Sequence, residues 1–120
     1  MKWEEIIKKR IKASDINISN IFIELLKENL ENLPRTFNIG YFRNVPFLDD
    51  IKERVVDYVI ENGITSKAGV LRGFFATKYD RWLSTNSWRL IRNAYQSGEL
   101  PILVRMGRNP QDYTFEVLRE

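Results

Sequence analysis

Side chains that suit the recognition of nucleic-acid bases recur in a short segment near the C-terminus. They are Asn86, Arg89, Arg92, Asn93 and Gln96. Arg89, Asn93 and Gln96 are spaced i, i+4 and i+7, so that on an α-helix they project together. Arginine can donate two hydrogen bonds to guanine, and asparagine or glutamine can pair with adenine in the same way. The spacing therefore indicates a surface for base edges and phosphates, although a solvated helix face uses the same residue types.

The apolar residues around these side chains predict the helix that must position them. Trp88, Leu90, Ile91, Ala94 and Tyr95 recur at helical spacing. Small polar residues at 84–86 are suitable N-caps, and Gly98 can end the helix in a left-handed conformation. We therefore expect a helix over 85–97.

The segment after this helix predicts a β-hairpin. An apolar run over 101–106 and a second run over 113–118 are separated by turn-forming residues at 107–112. Arg105 and Arg108 would lie at or near the tip of this hairpin. There they could contact a sugar-phosphate backbone.

The order of a basic helix, a short connection at 98–100 and a hairpin resembles the winged helix-turn-helix superfamily. The resemblance implies an α+β fold, mostly helical, with a C-terminal β-hairpin wing. It also implies that helix 85–97 enters the major groove of double-stranded DNA with Arg89, Asn93 and Gln96 placed for bases; Asn86 lies on the same outer face and is a further candidate for DNA binding. Phosphate contacts would come from the remaining basic residues: Lys67, Arg92, Arg105 and Arg108.

Two helices before the recognition helix complete this comparison. The apolar pattern of 48–63 predicts the first, with acids at its N-terminal end and Asn62–Gly63 at its stop. Ser66 would cap the second, 67–76, and five apolar residues would face inward: Ala68, Val70, Leu71, Phe74 and Phe75. The stretch 77–85 is longer than the usual turn of three or four residues. It leaves Lys78 and Arg81 available for phosphates.

The first part of the chain predicts an N-terminal helical extension and an aromatic connector. An amphipathic helix is expected over about 1–13, and a second helix, 19–33, carries a broad apolar stripe. This stripe must be buried either on the domain or on a second copy, which would make the protein a homodimer. The connector, 34–47, would pin its aromatic residues to the core. We therefore divide the chain into an extension, 1–47, and a winged helix-turn-helix domain, 48–120.

The composition excludes several classes of function. The chain has 120 residues with no cysteine and no histidine, which rules out disulfides, thiol catalysis and the usual zinc sites. Acids at 49, 50, 53 and 57 are better explained as helix-capping and solvated residues than as a metal site. We expect no catalysis, no cofactor and no bound metal. No apolar run approaches the ~20 residues needed to cross a bilayer, and no signal peptide is evident, which favours a cytoplasmic protein without membrane partners.

The distribution of charge favours nucleic acid over other partners. The net charge is +3, but residues 65–108 alone carry +6, whereas 1–64 carry −1 and 109–120 carry −2. A basic segment that coincides with the predicted helix and hairpin is expected where phosphates are neutralised. We therefore predict a sequence-specific double-stranded DNA-binding protein, a transcriptional regulator of a microbe, an archaeon or a mobile element. The alternative is a winged-helix interaction module that binds a protein partner, such as a polymerase subunit or a host factor.

Overall fold

The computed structural model describes residues 18–64 and 68–119 and has an α+β fold, which confirms the predicted class. The helices are 18–28 (α1), Phe47–Glu61 (α2), Ala68–Thr77 (α3), Tyr79–Trp82 (α4) and Trp88–Gln96 (α5). The strands are Thr36–Asn38 (β1), Ile102–Arg105 (β2) and Thr114–Val117 (β3). Short 3-10 turns cover Leu30–Asn32, Ile39–Arg43 and Pro110–Asp112. The helix predicted over 1–13, the Ser66 cap and Lys67 lie outside the described residues.

The predicted hairpin forms and is joined by a third strand from the first part of the chain. β3 lies in the centre of an antiparallel sheet, with β1 on one side and β2 on the other. Phe115 is paired with Phe37 of β1 and with Val104 of β2, so one row of apolar side chains faces the core. β1 was not foreseen, because its partner lies far away in the sequence.

Aromatic side chains from the connector form the centre of the core. Phe42 is fully buried, and its ring lies 4.8 Å from that of Phe22 in α1 and 5.7 Å from that of Phe115 in β3. The ring of Phe47, at the start of α2, lies 5.0 Å from the Phe42 ring. The connector is therefore pinned to the core as predicted. Packing continues across residue 47, where we placed the division between extension and domain.

The apolar stripe of α1 is buried in the core of its own chain. Phe22 and Leu26 have no exposed surface, and Leu25 has almost none. The burial that suggested a dimer seam over 19–33 is thus supplied within one copy, and a second copy is not needed to cover the stripe. The chain is already helical at 18, so Ser19 and Asn20 lie inside the helix, and α1 ends well before Leu33. The Arg119 guanidinium donates a hydrogen bond to the Leu30 carbonyl, which supplies a partner for a backbone acceptor just after α1.

Two helices end at the glycines that the sequence singled out. Gly63 and Gly98 have φ values of 73° and 78°, the left-handed region that favours glycine. After α2, the backbone N–H of Ile64 bonds to the Val59 carbonyl and that of Gly63 to the Ile60 carbonyl. The same two bonds follow α5. Both ends are therefore Schellman motifs, which satisfy carbonyl groups that the helix leaves free.

One predicted inward residue of α3 faces solvent instead. Ala68, Leu71 and Phe75 are buried, but Val70 is 65% exposed. Val70 precedes Leu71 by one residue and therefore lies about 100° around the helix from it. The buried stripe of α3 is narrower than the apolar pattern indicates, so the prediction for Val70 was wrong.

Candidate nucleic-acid interface

The predicted recognition helix is the second half of a longer helix. α4 is followed directly by a π-helical segment, Leu83–Ser87, and then by α5, and the junction residues Trp82, Leu83, Ser87 and Trp88 all keep helical backbone angles. We call residues 79–96 the long helix; at 1.5 Å per residue it spans about 27 Å. It begins after a break at Lys78, so Arg81 and Arg89 belong to one element.

The small polar residues ahead of α5 do not cap a helix start, contrary to our prediction. Each donates a side-chain hydrogen bond to the carbonyl four residues earlier: Ser84 to Asp80 at 3.1 Å, Thr85 to Arg81 at 2.8 Å, Asn86 to Trp82 at 3.1 Å and Ser87 to Leu83 at 2.6 Å. In a π-helix the backbone N–H reaches the carbonyl five residues back. Short polar side chains can then bond the carbonyls four residues back, as an alternative to the α-helical backbone bond.

The N-terminal end of the long helix is anchored in the aromatic core. The Tyr79 hydroxyl donates a hydrogen bond of 3.0 Å to the Phe42 carbonyl, and the ring stacks on Trp82 at 6.2 Å. Burial raises the pKa of the Tyr79 phenol, so it remains a donor. The Asp80 carboxylate, which lies between Lys78 and Arg81 in the sequence, pairs with Arg43 at 2.8 Å. Its negative charge is therefore offset by a cation other than these two. Both of these cations are exposed.

The face opposite the core carries the predicted base-reading residues. Leu83, Ser87, Ile91 and Ala94 are buried against the domain, whereas Arg89, Asn93 and Gln96 are not. Asn93 also borders a groove of about 410 Å³ between α1 and α5, so it lies on the side of this face nearest α1. The three side chains share one face, as their spacing predicts.

Asn86 is engaged within the helix rather than presented outward. Its amide nitrogen donates to the Trp82 carbonyl, and its Oδ1 accepts a bond of 3.3 Å from Arg89 Nη2. Arg89 Nη2 also donates to the Thr85 carbonyl at 3.2 Å. These two bonds of Arg89 are long and exposed, so another acceptor can replace them at low cost. Asn86 therefore orients Arg89, and its side chain is the least available of the five that we singled out.

Arg92 lies over an aromatic ring. Its Cζ is 5.2 Å from the centre of the Trp88 ring, and Trp88 in turn meets the ring of Tyr113 edge-on at 5.3 Å. Trp88 was expected only as an apolar core residue. The i, i+4 spacing of Trp88 and Arg92 could have indicated their contact, because such residues are neighbours on a helix. The contact with Tyr113 could not be read from local spacing.

The hairpin presents one of its two arginines differently from our prediction. Arg105 pairs with Glu116 across the strands, with Nη2 at 2.9 Å and Nε at 3.2 Å from the same carboxylate oxygen. Its charge is therefore largely offset locally. Arg108 is exposed in the loop. Beyond it, the turn Pro110–Asp112 leads the loop back against the π segment.

The long helix thus presents a set of cations without acids between them. From Arg81 to Gly98 the sequence contains three arginines and no acid. Within the described ranges, ion pairs form at Lys27, Arg43, Lys52, Arg54 and Arg105, but not at the other basic residues: Arg35, Arg72, Lys78, Arg81, Arg89, Arg92, Arg108 and Arg119. We call Arg81, Arg89 and Arg92 the helix arginines. Their charge is available to an anionic partner.

Over residues 18–64 and 68–119, acidic residues do not gather into a group that could hold a metal ion. In the same ranges no helix combines the length and apolar character needed to cross a membrane.

Comparisons with models of protein families, with curated proteins and with solved structures found no match to this chain.

Proposed function

We propose that this protein binds double-stranded DNA with sequence preference and acts as a cytoplasmic transcriptional regulator of a microbe, an archaeon or a mobile element. In this proposal the domain is a winged helix-turn-helix. α3 supports the long helix, α5 enters the major groove, and the hairpin is the wing.

The unpaired helix arginines are the observation that carries the proposal. A merely solvated helix face is expected to mix acids with bases, because like charges repel and opposite charges at i, i+4 stabilise the helix. The long helix instead has three arginines along an acid-free stretch, and none of them forms an ion pair with another residue that the structure describes. Phosphates of a duplex would neutralise these charges and release condensed counterions.

The candidate groups divide into two roles. Arg89, Asn93 and Gln96 are assigned to base edges, because their donors and acceptors can pair with guanine or adenine. Arg81, Arg92, Lys78 and Arg108 are assigned to phosphates, to which Lys67 is added from the sequence. We assign Arg105 a smaller part in phosphate binding, because Glu116 already accepts two of its hydrogen bonds.

The proposal is tested by the fluorescence anisotropy of a labelled random duplex over a series of salt concentrations. We expect dissociation constants of about 1 to 100 µM at physiological salt and a steep weakening as salt rises. The double variant Arg89→Ala, Arg92→Ala should bind more weakly, and its salt slope should fall by up to about 0.9 for each phosphate that it no longer neutralises.

A matched control removes two positive charges elsewhere. Lys52→Ala, Arg72→Ala changes the net charge equally, and both residues border the groove between α2 and α3. This variant should bind the duplex almost as tightly as the wild type. No binding at low salt by the folded wild type would overturn the proposal and leave the protein-interaction module as the alternative to pursue.

Sequence preference requires a second measurement. After selection of preferred duplexes from a random pool, Arg89→Ala should reduce discrimination against random DNA by about 1 to 3 kcal/mol if Arg89 reads a base. An equal loss on preferred and random duplexes would assign Arg89 to a phosphate instead.

A further inference from the structure

Arg92, Trp88 and Tyr113 form a continuous contact between the long helix and the hairpin. The indole N–H of Trp88 donates a hydrogen bond of 2.9 Å to the Ser84 carbonyl, which fixes the orientation of the ring. The rings of Tyr113 and Trp88 meet edge to face at an interplanar angle of 76°, and Tyr113 is only 8% exposed. Arg92 covers Trp88 from the same helix. The aromatic pair is therefore a fixed support beneath a cation.

The guanidinium of Arg92 is held with one nitrogen inward. Nε is buried and has no hydrogen-bond partner, and it is the one side-chain nitrogen or oxygen of the described residues in that state. The terminal nitrogens Nη1 and Nη2 are not in that state, and no described residue accepts a hydrogen bond from them. Arg92 as a whole is half-buried, so part of its side chain reaches solvent while Nε is enclosed.

This arrangement suits an acceptor with two oxygens in one plane. Nη1 and Nη2 form a fork that matches a phosphate, and a stacked arginine loses less freedom on binding than a mobile one. Folding already removes water from Nε. Binding of a phosphate therefore does not add the free-energy cost of dehydrating this nitrogen. Buried donors without a hydrogen-bond partner are rare in proteins. We explain the burial of Nε by a role of Arg92 in which only Nη1 and Nη2 bind an acceptor.

We propose that Trp88 is a positioning residue that holds Arg92 so that Nη1 and Nη2 bind one backbone phosphate of DNA, with Tyr113 holding Trp88 in turn. The proposal rests on the DNA-binding function proposed above. It also makes the hairpin and the long helix one binding unit, since the aromatic pair connects them.

The test compares the removal of the aromatic face with the removal of the charge. Trp88→Leu keeps the charge of Arg92, so we expect about three- to tenfold weaker binding of a random duplex with an unchanged salt slope. Arg92→Ala should lower the slope itself by about 0.9. Trp88→Phe retains a ring beneath the guanidinium and should lie between the wild type and Trp88→Leu.

A double-mutant cycle separates positioning from a general effect on the fold. Trp88→Leu should have no further effect on binding in the Arg92→Ala background, because the group that it positions is already gone. Fully additive effects would overturn the proposal. Should Trp88→Leu unfold, the same cycle with Trp88→Phe decides the question, and urea denaturation identifies which variants are folded.

An NMR measurement without DNA tests the geometry alone. The Arg92 Nε–H should exchange slowly with water in the wild type and faster in Trp88→Leu. Equally fast exchange in both would overturn the positioning role. Failure of the wild type to bind DNA would overturn both proposals, whereas DNA binding with additive effects of the two substitutions would overturn only this one.

Discussion

α2 and the long helix show two ways of exposing a charged helix face. α2 mixes five acids with Lys52 and Arg54, and both bases are paired: Lys52 with Asp49 at 3.9 Å and Arg54 with Glu28 at 2.5 Å. The helix arginines have no ion pair among the described residues. α2 therefore pairs both of its bases within the protein, whereas the long helix leaves its arginines without an ion pair among the described residues.

The two helices also differ in how their backbones are completed. α2 is a regular α-helix with an apolar stripe of Ile51, Val55 and Val59, and it needs side-chain help only at its end. The long helix contains a π segment supported by a series of side-chain bonds to carbonyls. π segments are rare in proteins, and those that occur lie frequently at functional sites. The comparison shows that the unusual backbone and the unpaired charge occur together in one element.

Reversal of charge should give the largest difference in DNA binding between variants of the long helix and variants of α2. Arg89→Glu, Arg92→Glu should weaken the binding of a random duplex by on the order of 100-fold, because two attractions to phosphates are replaced by two repulsions. The equivalent reversal in α2, Lys52→Glu, Arg54→Glu, should weaken binding only slightly, through the net charge. The measurement is fluorescence anisotropy at one low salt concentration. Equal weakening by both reversals would mean that binding follows net charge rather than the long helix.

Ser87→Ala should destabilise the long helix from within. Ser87 is fully buried, and its hydroxyl donates a bond of 2.6 Å to the Leu83 carbonyl. Its loss leaves a buried acceptor with one bond fewer, and we expect about 1 to 3 kcal/mol less stability. Urea denaturation measures the change. A control, Thr77→Ala, removes the same kind of bond at an exposed site on α3 and should cost less; the reverse order would contradict the importance of the π segment.

Substitution of the terminal glycines should affect the two helices alike. Gly63→Ala and Gly98→Ala each force an L-residue into a left-handed conformation, at a cost of about 1 to 2 kcal/mol. A Cβ at either position meets no other atom within 4 Å, so the backbone conformation alone sets this cost. Thermal unfolding of both variants checks the expectation. A much larger loss for Gly98→Ala would show that the end of the long helix depends on its surroundings.

The ion pair between Glu28 and Arg54 should give the smallest effect, visible at acid pH. The hydrogen bond from Arg54 holds the pKa of Glu28 below its ordinary value of 4.5. Its contribution to stability is therefore present above pH 4.5 and is lost as the pH falls through the lowered pKa. Glu28→Gln should show a smaller loss of stability over this range in denaturation curves. Identical acid profiles of wild type and variant would mean that this exposed pair contributes nothing measurable.

The sequence by itself determined the local elements. The helical period of 48–63, the turn formers at 107–112 and the glycines at 63 and 98 act over a few residues. The presence of α2, the hairpin and the two glycine helix ends can therefore be read from spacing, whereas the start of the long helix and the end of α1 were not. The position of Arg89, Asn93 and Gln96 on one face follows from the same periodicity.

Only the tertiary structure decided which of those groups are free to act. β1 pairs with a strand about eighty residues away, α1 is buried in its own chain, and Arg105 meets Glu116 across the hairpin. Tyr113 reaches Trp88 only after the loop folds back. Such contacts depend on which apolar faces find each other during packing, and several pairings satisfy the same local pattern. The sequence could therefore name the candidate residues of the interface but not their hydrogen-bond partners.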